Sequence, residues 1–319
     1  MDTVMSASLT GSHSARGGLP VIWLVPVLVI TAWLPAMVAS IPAWRHGLYY
    51  DYGWFVPLAA IGLMLRRWWQ LPRQDARRPA RYWLALWCGL LPWFLVLRVL
   101  GHVDPSWRMP IWLLGGTAAV FGHALIASVI GWHGSARFLC ITLLWLSALP
   151  WPSVLEHGII EWLTDRVVMA TAEWFQWFGR PVEVLGDRLR LHDVVVEVTD
   201  GCSGVRSFQS FLMATWFFAE WQRLKPDRVV MLLIFACVTA FLVNMVRTYV
   251  LAKIRFDHGQ AAFDAAHDAL GLTAFVVSAV IFYFLSGQLA SERRVLVRRA
   301  GPGGATMSRP AKDDSNAKS

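Results

Sequence analysis

Apolar residues run along this chain in long blocks separated by short polar breaks. A helix that crosses a bilayer needs about 20 mostly apolar residues. Blocks of that kind fall at 20–40, 53–65, 82–100, 111–131, 138–152, 205–222, 229–251 and 268–288. The second and fifth are short, so each is either re-entrant or extended by its flanks. The favoured count is eight. The interval 153–204 breaks the pattern. Its first half, SVLEHGIIEWLTDRVVMATAEWFQWFG, has apolar residues at helical spacing and predicts an amphipathic helix lying at the membrane interface. Its second half, RPVEVLGDRLRLHDVVVEVTDG, alternates in places and has turn signals at Gly186–Asp187 and His192–Asp193. It predicts two or three short strands. No internal repeat is apparent.

The expected fold is an all-α integral membrane protein with about eight transmembrane helices. Its external loop carries the amphipathic helix and the strands. The expected organisation is a disordered cytoplasmic N-terminus at 1–19, then five transmembrane helices within 20–152. An extracytoplasmic cap follows at 153–204, then three more transmembrane helices at 205–288. A basic, disordered cytoplasmic tail fills 289–319.

Composition agrees with this class. Of 319 residues, 56% are hydrophobic and only 16% are charged, against about 25% charged in a soluble domain. The 19 tryptophans suit a chain with two membrane–water interfaces. The formal charge of +8 therefore reports orientation, and nucleic acid is not an expected partner. Basic residues cluster at Arg66, Arg67, Arg73, Arg77, Arg78 and Arg81, again at Arg223, Lys225 and Arg228, and again at Arg293, Arg294, Arg298 and Arg299. Eight crossings put all three clusters on one side with the N-terminus, and seven would divide them. The positive-inside rule makes that side cytoplasmic. The short outer loops are then about 41–52, 101–110 and 252–267. The first apolar block lacks a small-residue cleavage site, so it is expected to remain as an anchor.

Cys88, Cys140 and Cys237 lie inside apolar runs and are expected to be small buried hydrophobes. Cys202 differs. It stands among small and polar residues in DGCSGVRSFQSF, at the outer edge of the sixth block. Asn244 and Arg247 end the seventh block, and His267 opens the eighth. Ionisable residues at such depths are costly and usually face a partner. Each alone has an ordinary reading: an inert thiol, a snorkelling arginine, an interfacial histidine. Together they fit acyl transfer. A thiolate attacks, an imidazole moves the proton, and a guanidinium stabilises the oxyanion. Cys202 and Arg206 are i, i+4, and share a face if the helix begins early enough. Asn244 and Arg247 share a face at i, i+3. Gly271, four residues after His267, would admit a neighbouring helix. Asp257, His258, Asp264, His267 and Asp268 form a competing set that could hold a divalent ion. They lack a tight pair such as HExxH, so no metal and no cofactor are expected.

The blocks CSGVRS at 202–207, NMVR at 244–247 and HDALG at 267–271 resemble, in order, the three signatures of the exosortase/archaeosortase family. The resemblance covers about 150–290; the first four blocks match only in hydropathy. It implies a cysteine peptidase or transpeptidase with Cys202 as nucleophile, Arg247 as transition-state stabiliser and His267 as acid/base. Arg206, Asn244, Ser203, Gly204 and Gly271 match supporting positions. The implied partners are exported proteins carrying a C-terminal motif, one transmembrane helix and a basic cluster, together with membrane lipid and a glycan or lipid acceptor. The implied location is the inner membrane, multi-pass, with the site facing outside and both termini cytoplasmic. Gly201 and Asp200 depart from the small apolar residues expected before the cysteine, which points to a different recognition motif. Other readings are a non-enzymatic scaffold or transporter subunit of an envelope polysaccharide system, and a metal-dependent intramembrane protease.

Overall fold

The computed structural model describes residues 18–46, 49–71, 80–104, 107–198 and 203–299. It is mostly helical. Helices α1 (Gly18–His46), α2 (Phe55–Trp69), α3 (Ala80–Val103), α4 (Met109–Ala136), α5 (Leu139–Ser147) and α6 (Ser153–Trp177) come first. A three-stranded sheet follows, then α7 (Val205–Gln222), α8 (Pro226–His258) and α9 (Gln260–Arg299). Among the described residues, five helices are long and apolar enough to cross a membrane: Leu24–His46, Tyr82–Val103, Met109–Ala136, Pro226–His258 and Gln260–Ala290. The chain is a membrane protein with several apolar helices.

The other three expected crossings fall short for separate reasons. The 15 residues of α2 and the 9 of α5 reach only about 22 Å and 14 Å, against a hydrocarbon core of about 30 Å. The 18 residues of α7 are diluted by Arg206, Gln209, Ser210, Thr215 and Glu220. At Gly131 the chain leaves helical geometry (φ 74°, ψ 168°) and doubles back. Ser135 then reaches His123, donating to its carbonyl at 2.9 Å and meeting its Nδ1 at 2.8 Å. The Thr142 hydroxyl lies 2.9 Å from His123 Nε2. The short α5 thus starts part-way into the bundle.

Two apolar clusters build the membrane region. The larger joins α1 to α5, with Trp33 stacked on Trp145 at 5.3 Å. The smaller joins α7, α8 and α9 through Phe211, Leu232, Ala236 and Phe282. The ends of the bundle are marked by polar contacts. At one end Arg67 pairs with Glu220 at 2.6 Å, and Arg66 donates to the Trp221 carbonyl at 3.0 Å. The basic end of α2 therefore sits beside the end of α7. At the opposite end Tyr50 donates to Glu156 at 3.0 Å, and Arg108 forms an ion pair with the same carboxylate. Burial pushes the Tyr50 phenol up, opposed by the Trp151 amide and by Arg108, so the phenol keeps its proton and remains a donor.

The interval after α5 forms a cap. Helix α6 runs from Ser153 to Trp177, where amphipathic spacing is expected. Strands β1 (Glu183–Leu185), β2 (Arg188–Leu191) and β3 (Val194–Glu197) pair antiparallel in that order. Gly186–Asp187 and His192–Asp193 make the two turns, with Gly186 at φ 65° and His192 at φ 53°. One face of the sheet buries Leu189 and Val196 against Val167, Val168 and Phe175 of α6 and Ala252 of α8. Tyr249 of α8 fits among Trp174, Phe175 and Phe178, with ring centroids 4.7–5.7 Å away. Arg180 ties the end of the cap helix to Asp257 of α8.

Several expectations need correction. The outer loop expected at 252–267 is helical: α8 runs to His258, Gly259 turns the chain at φ 84°, and α9 starts at Gln260. Lys253, Arg255 and Asp257 end the apolar run, but nothing in them stops a helix. At the other end α9 continues to Arg299, past the boundary expected at 288. Cys88 is exposed, and Cys140 and Cys237 are only partly buried. A thiol is apolar enough to face hydrocarbon, so burial is not required of it. The expected disordered N-terminus lies almost wholly outside the described residues, as do residues 300–319 of the tail.

Candidate active site

Three helices bring the singled-out residues to the capped end of the bundle. Gly204 is the N-cap of α7 and adopts φ 86°, ψ 3°, a left-handed conformation that glycine accepts without a Cβ penalty. It lies directly on Asn244 of α8. A Cβ at 204 would stand 2.8 Å from Asn244 Cγ and 2.9 Å from its Nδ2. Asn244 is buried, as is Ser203, whose hydroxyl accepts from the Val205 amide at 3.3 Å. The segment leading from the cysteine is thus seated on the helix that carries the arginine.

One turn beyond Asn244, Arg247 reaches across to α9. Its Nη2 donates to Nε2 of His267 at 3.2 Å. On the other side of the ring, His267 Nδ1 donates to Asp268 Oδ1 at 3.0 Å. A guanidinium has no lone pair to offer, so Nε2 must be the acceptor and Nδ1 carries the proton. Arg247 is half-buried and the His267 side chain is 36% exposed. The pair therefore sits at the edge of the bundle, within reach of a peptide. Gly271 faces the Arg247 guanidinium; a Cβ there would make an ordinary contact at 3.5 Å, so its smallness relieves crowding without being sterically obligatory. Signature blocks from three separate parts of the sequence are therefore neighbours in space.

The family model described as Transmembrane exosortase (Exosortase_EpsH) matches residues 44–284. This chain is a member of the transmembrane exosortase family. No curated protein and no solved structure matches it at a significant level. The match begins in the last turn of α1 and ends within α9, so it reaches beyond the second half that the three motifs cover.

In this exosortase the expected residues are distributed as follows. Asn244, Arg247, His267, Gly271, Ser203 and Gly204 lie at the capped end. Cys202, and with it Gly201 and Asp200, lies outside the described residues. The helical face expected to join Cys202 to Arg206 does not extend that far back. Helix α7 begins at Val205, and the left-handed Gly204 breaks the i, i+4 relation. Arg206 is exposed in the first turn, and its carbonyl accepts from Ser210 at 2.9 Å. The competing acidic set is dispersed. Asp257 binds Arg180 and Lys253, Asp264 accepts from Gln260, and Asp268 takes His267. Among the described residues no three His, Cys, Asp or Glu side chains are grouped to hold a metal ion.

Sequence reasoning missed the anchors around the site. Tyr249 reads as one more aromatic in a membrane helix, yet its ring fastens the cap helix just above Arg247. Asp257 reads as one of the competing metal-ligand set, yet it fixes Arg180. Only its i, i+4 spacing from Lys253 hinted at a helix there.

Gly204→Ala is expected to destabilise the protein by about 2–5 kcal/mol. Left-handed backbone costs a non-glycine residue about 1–2 kcal/mol, and the overlap with Asn244 adds about 1–3 kcal/mol. Thermal unfolding in detergent checks this. Adding Asn244→Ala should recover the overlap part and leave the backbone part.

Proposed function

We propose that this protein is a membrane cysteine peptidase/transpeptidase that cleaves the C-terminal sorting signal of exported proteins and passes the new C-terminus to an envelope acceptor. The observation that carries the reading is the convergence of Gly204, Asn244, Arg247 and His267 from three helices, with Cys202 two residues before Gly204. Family membership supports the peptidase class.

The chemistry uses few groups. The Cys202 thiol gives its proton to His267, and the thiolate attacks the scissile carbonyl. The carbonyl oxygen becomes an oxyanion, for which Arg247 is the fixed positive partner. In the resting site Arg247 occupies Nε2 of His267. Its transfer to the oxyanion leaves Nε2 open to hold the proton. Collapse of the tetrahedral intermediate breaks the C–N bond, and His267 protonates the departing amine. The thioester on Cys202 is then attacked by a hydroxyl of a glycan or lipid, or by water, which restores the thiol. Asp268 holds the ring tautomer throughout. No cofactor or metal is needed for any step.

The same reading places the protein in the inner membrane with eight crossings. That count takes α2, α5 and α7, each lengthened by its flanking residues, as crossings beside the five apolar helices. The basic end, with Arg66, Arg67, Arg223 and Lys225, faces the cytoplasm with both termini, and the cap and site face outside. A substrate with one C-terminal transmembrane helix and terminal arginines would present its motif at that outer level.

Detection of the intermediate tests the proposal. The purified protein is incubated with an exported protein of the same cell that has a C-terminal apolar helix and terminal arginines. A covalent adduct that survives denaturation, maps to Cys202 and is discharged by neutral hydroxylamine is the expected result. Cleavage that proceeds without such an adduct would show that the reaction is not thiol acyl transfer.

A further inference from the structure

At the end of the bundle opposite Arg247 and His267, the doubling back of the chain at Gly131 leaves room below the start of α5. A cavity of about 630 Å³ opens there between α5, α7 and the start of α8. We propose that it binds an anionic phospholipid of the leaflet at that end, with the phosphate at the basic mouth and the acyl chains along the apolar wall.

The two kinds of lining are separated. Leu139, Leu143, Trp216 and Val230 form the apolar wall. Leu139 is 50% exposed and Val230 is 55% exposed, so the wall is open sideways, toward where lipid chains lie. The mouth carries Arg67, Arg137 and Arg223 against the single carboxylate of Glu220. Glu220 is 5% exposed and is neutralised by Arg67 at 2.6 Å. Arg67 also donates to the Arg137 carbonyl, which fixes the rim. Arg223 also acts on Glu220, so three guanidiniums at the mouth face one carboxylate and the lining is net positive. Helix α8 adds to it, because its N-terminal turn begins at Pro226 in the lining and presents the positive end of the helix dipole. Asp227 in that first turn lies outside the lining.

Charge and shape select the occupant. A free anion would leave the apolar wall exposed, and a basic peptide would be repelled by the rim. A diacyl lipid with an anionic headgroup satisfies both parts. Basic pockets between helices at the cytoplasmic side are where anionic headgroups bind. Helix α7 separates this cavity from the candidate active site by about 1.5 Å per residue, roughly 22 Å between Val205 and Glu220. Occupancy is therefore independent of the thiol chemistry.

The test uses the full chain purified in detergent, read by native mass spectrometry and by thermal unfolding. The probes are phosphatidylglycerol, phosphatidylcholine and glycerol 3-phosphate. Retention of phosphatidylglycerol about ten-fold above phosphatidylcholine is expected, since each basic residue near the headgroup contributes appreciably. Arg137→Gln with Arg223→Gln should erase that preference. Arg180→Gln, at the capped end, should keep it. Circular dichroism confirms that the double variant is folded, and the lipid comparison on the unaltered protein stands without it. Equal retention of the two lipids overturns the proposal, as does an unchanged preference in the double variant. If glycerol 3-phosphate alone protects as well as phosphatidylglycerol, the site holds a free anion and the lipid assignment fails.

Discussion

Cys202→Ala is expected to abolish processing of the sorted substrate while the protein continues to insert and fold. The expected loss is complete within the assay, because in the proposed mechanism the thiolate is the group that forms the new bond. Stability should change little. Residue 202 precedes the N-cap of α7, and removing one sulfur there leaves the Gly204–Asn244 seat in place. The measurement is the ratio of full-length to cleaved substrate in cells carrying the variant, beside its membrane level. Continued processing at normal rate would remove Cys202 from the mechanism. A vanished membrane level would instead make the residue structural, the outcome a scaffold reading requires.

The second large effect is expected at Arg247. Arg247→Gln should lower the processing rate by about 100- to 1000-fold, the usual consequence of deleting one oxyanion donor. It also removes the 3.2 Å contact to His267. Two contributions therefore mix, and Arg247→Lys separates them. Lysine keeps the charge but loses the planar fork that can serve the imidazole and the oxyanion from one position. Partial recovery with lysine identifies charge as the larger part. Full loss with both variants identifies geometry. Substrate affinity should be nearly unchanged in each, because the proposed mechanism has Arg247 meet the transition state and not the resting carbonyl.

The family was legible in the sequence because its chemistry is tied to short blocks in a fixed order. CSGVRS, NMVR and HDALG needed no structure to be singled out. The pairing of Arg247 with His267 was less accessible. Hydropathy placed both near one end of the membrane region, but could not say that α8 and α9 continue past it as a hairpin. Hydropathy measures how long a segment stays apolar, whereas a helix stops only where backbone geometry stops it. Gly259 does so, and Lys253 does not. The same distinction explains the fifth block. Its shortness was visible, but the return of the chain at Gly131 to meet His123 was not, because Ser135 and Thr142 carry no positional signal. The cap was foreseen as an amphipathic helix plus strands from its spacing and turns. Its attachment through Tyr249 and Arg180 was hidden, since both contacts join residues far apart in the chain, Arg180 to Asp257 across 77 positions.

The single-residue link between α8 and α9 also orders events in time. Arg247 and His267 are 20 residues apart, and their contact closes as soon as the hairpin around Gly259 forms. Gly204 and Asn244 are 40 apart (244 − 204), and the cap must close a loop of 77 before Arg180 finds Asp257. Shorter loops close at lower entropic cost. The ribosome makes the thiol segment before the arginine and the histidine, yet folding should complete its placement after theirs. Gly204 would then reach its seat on Asn244 only after Arg247 and His267 have met.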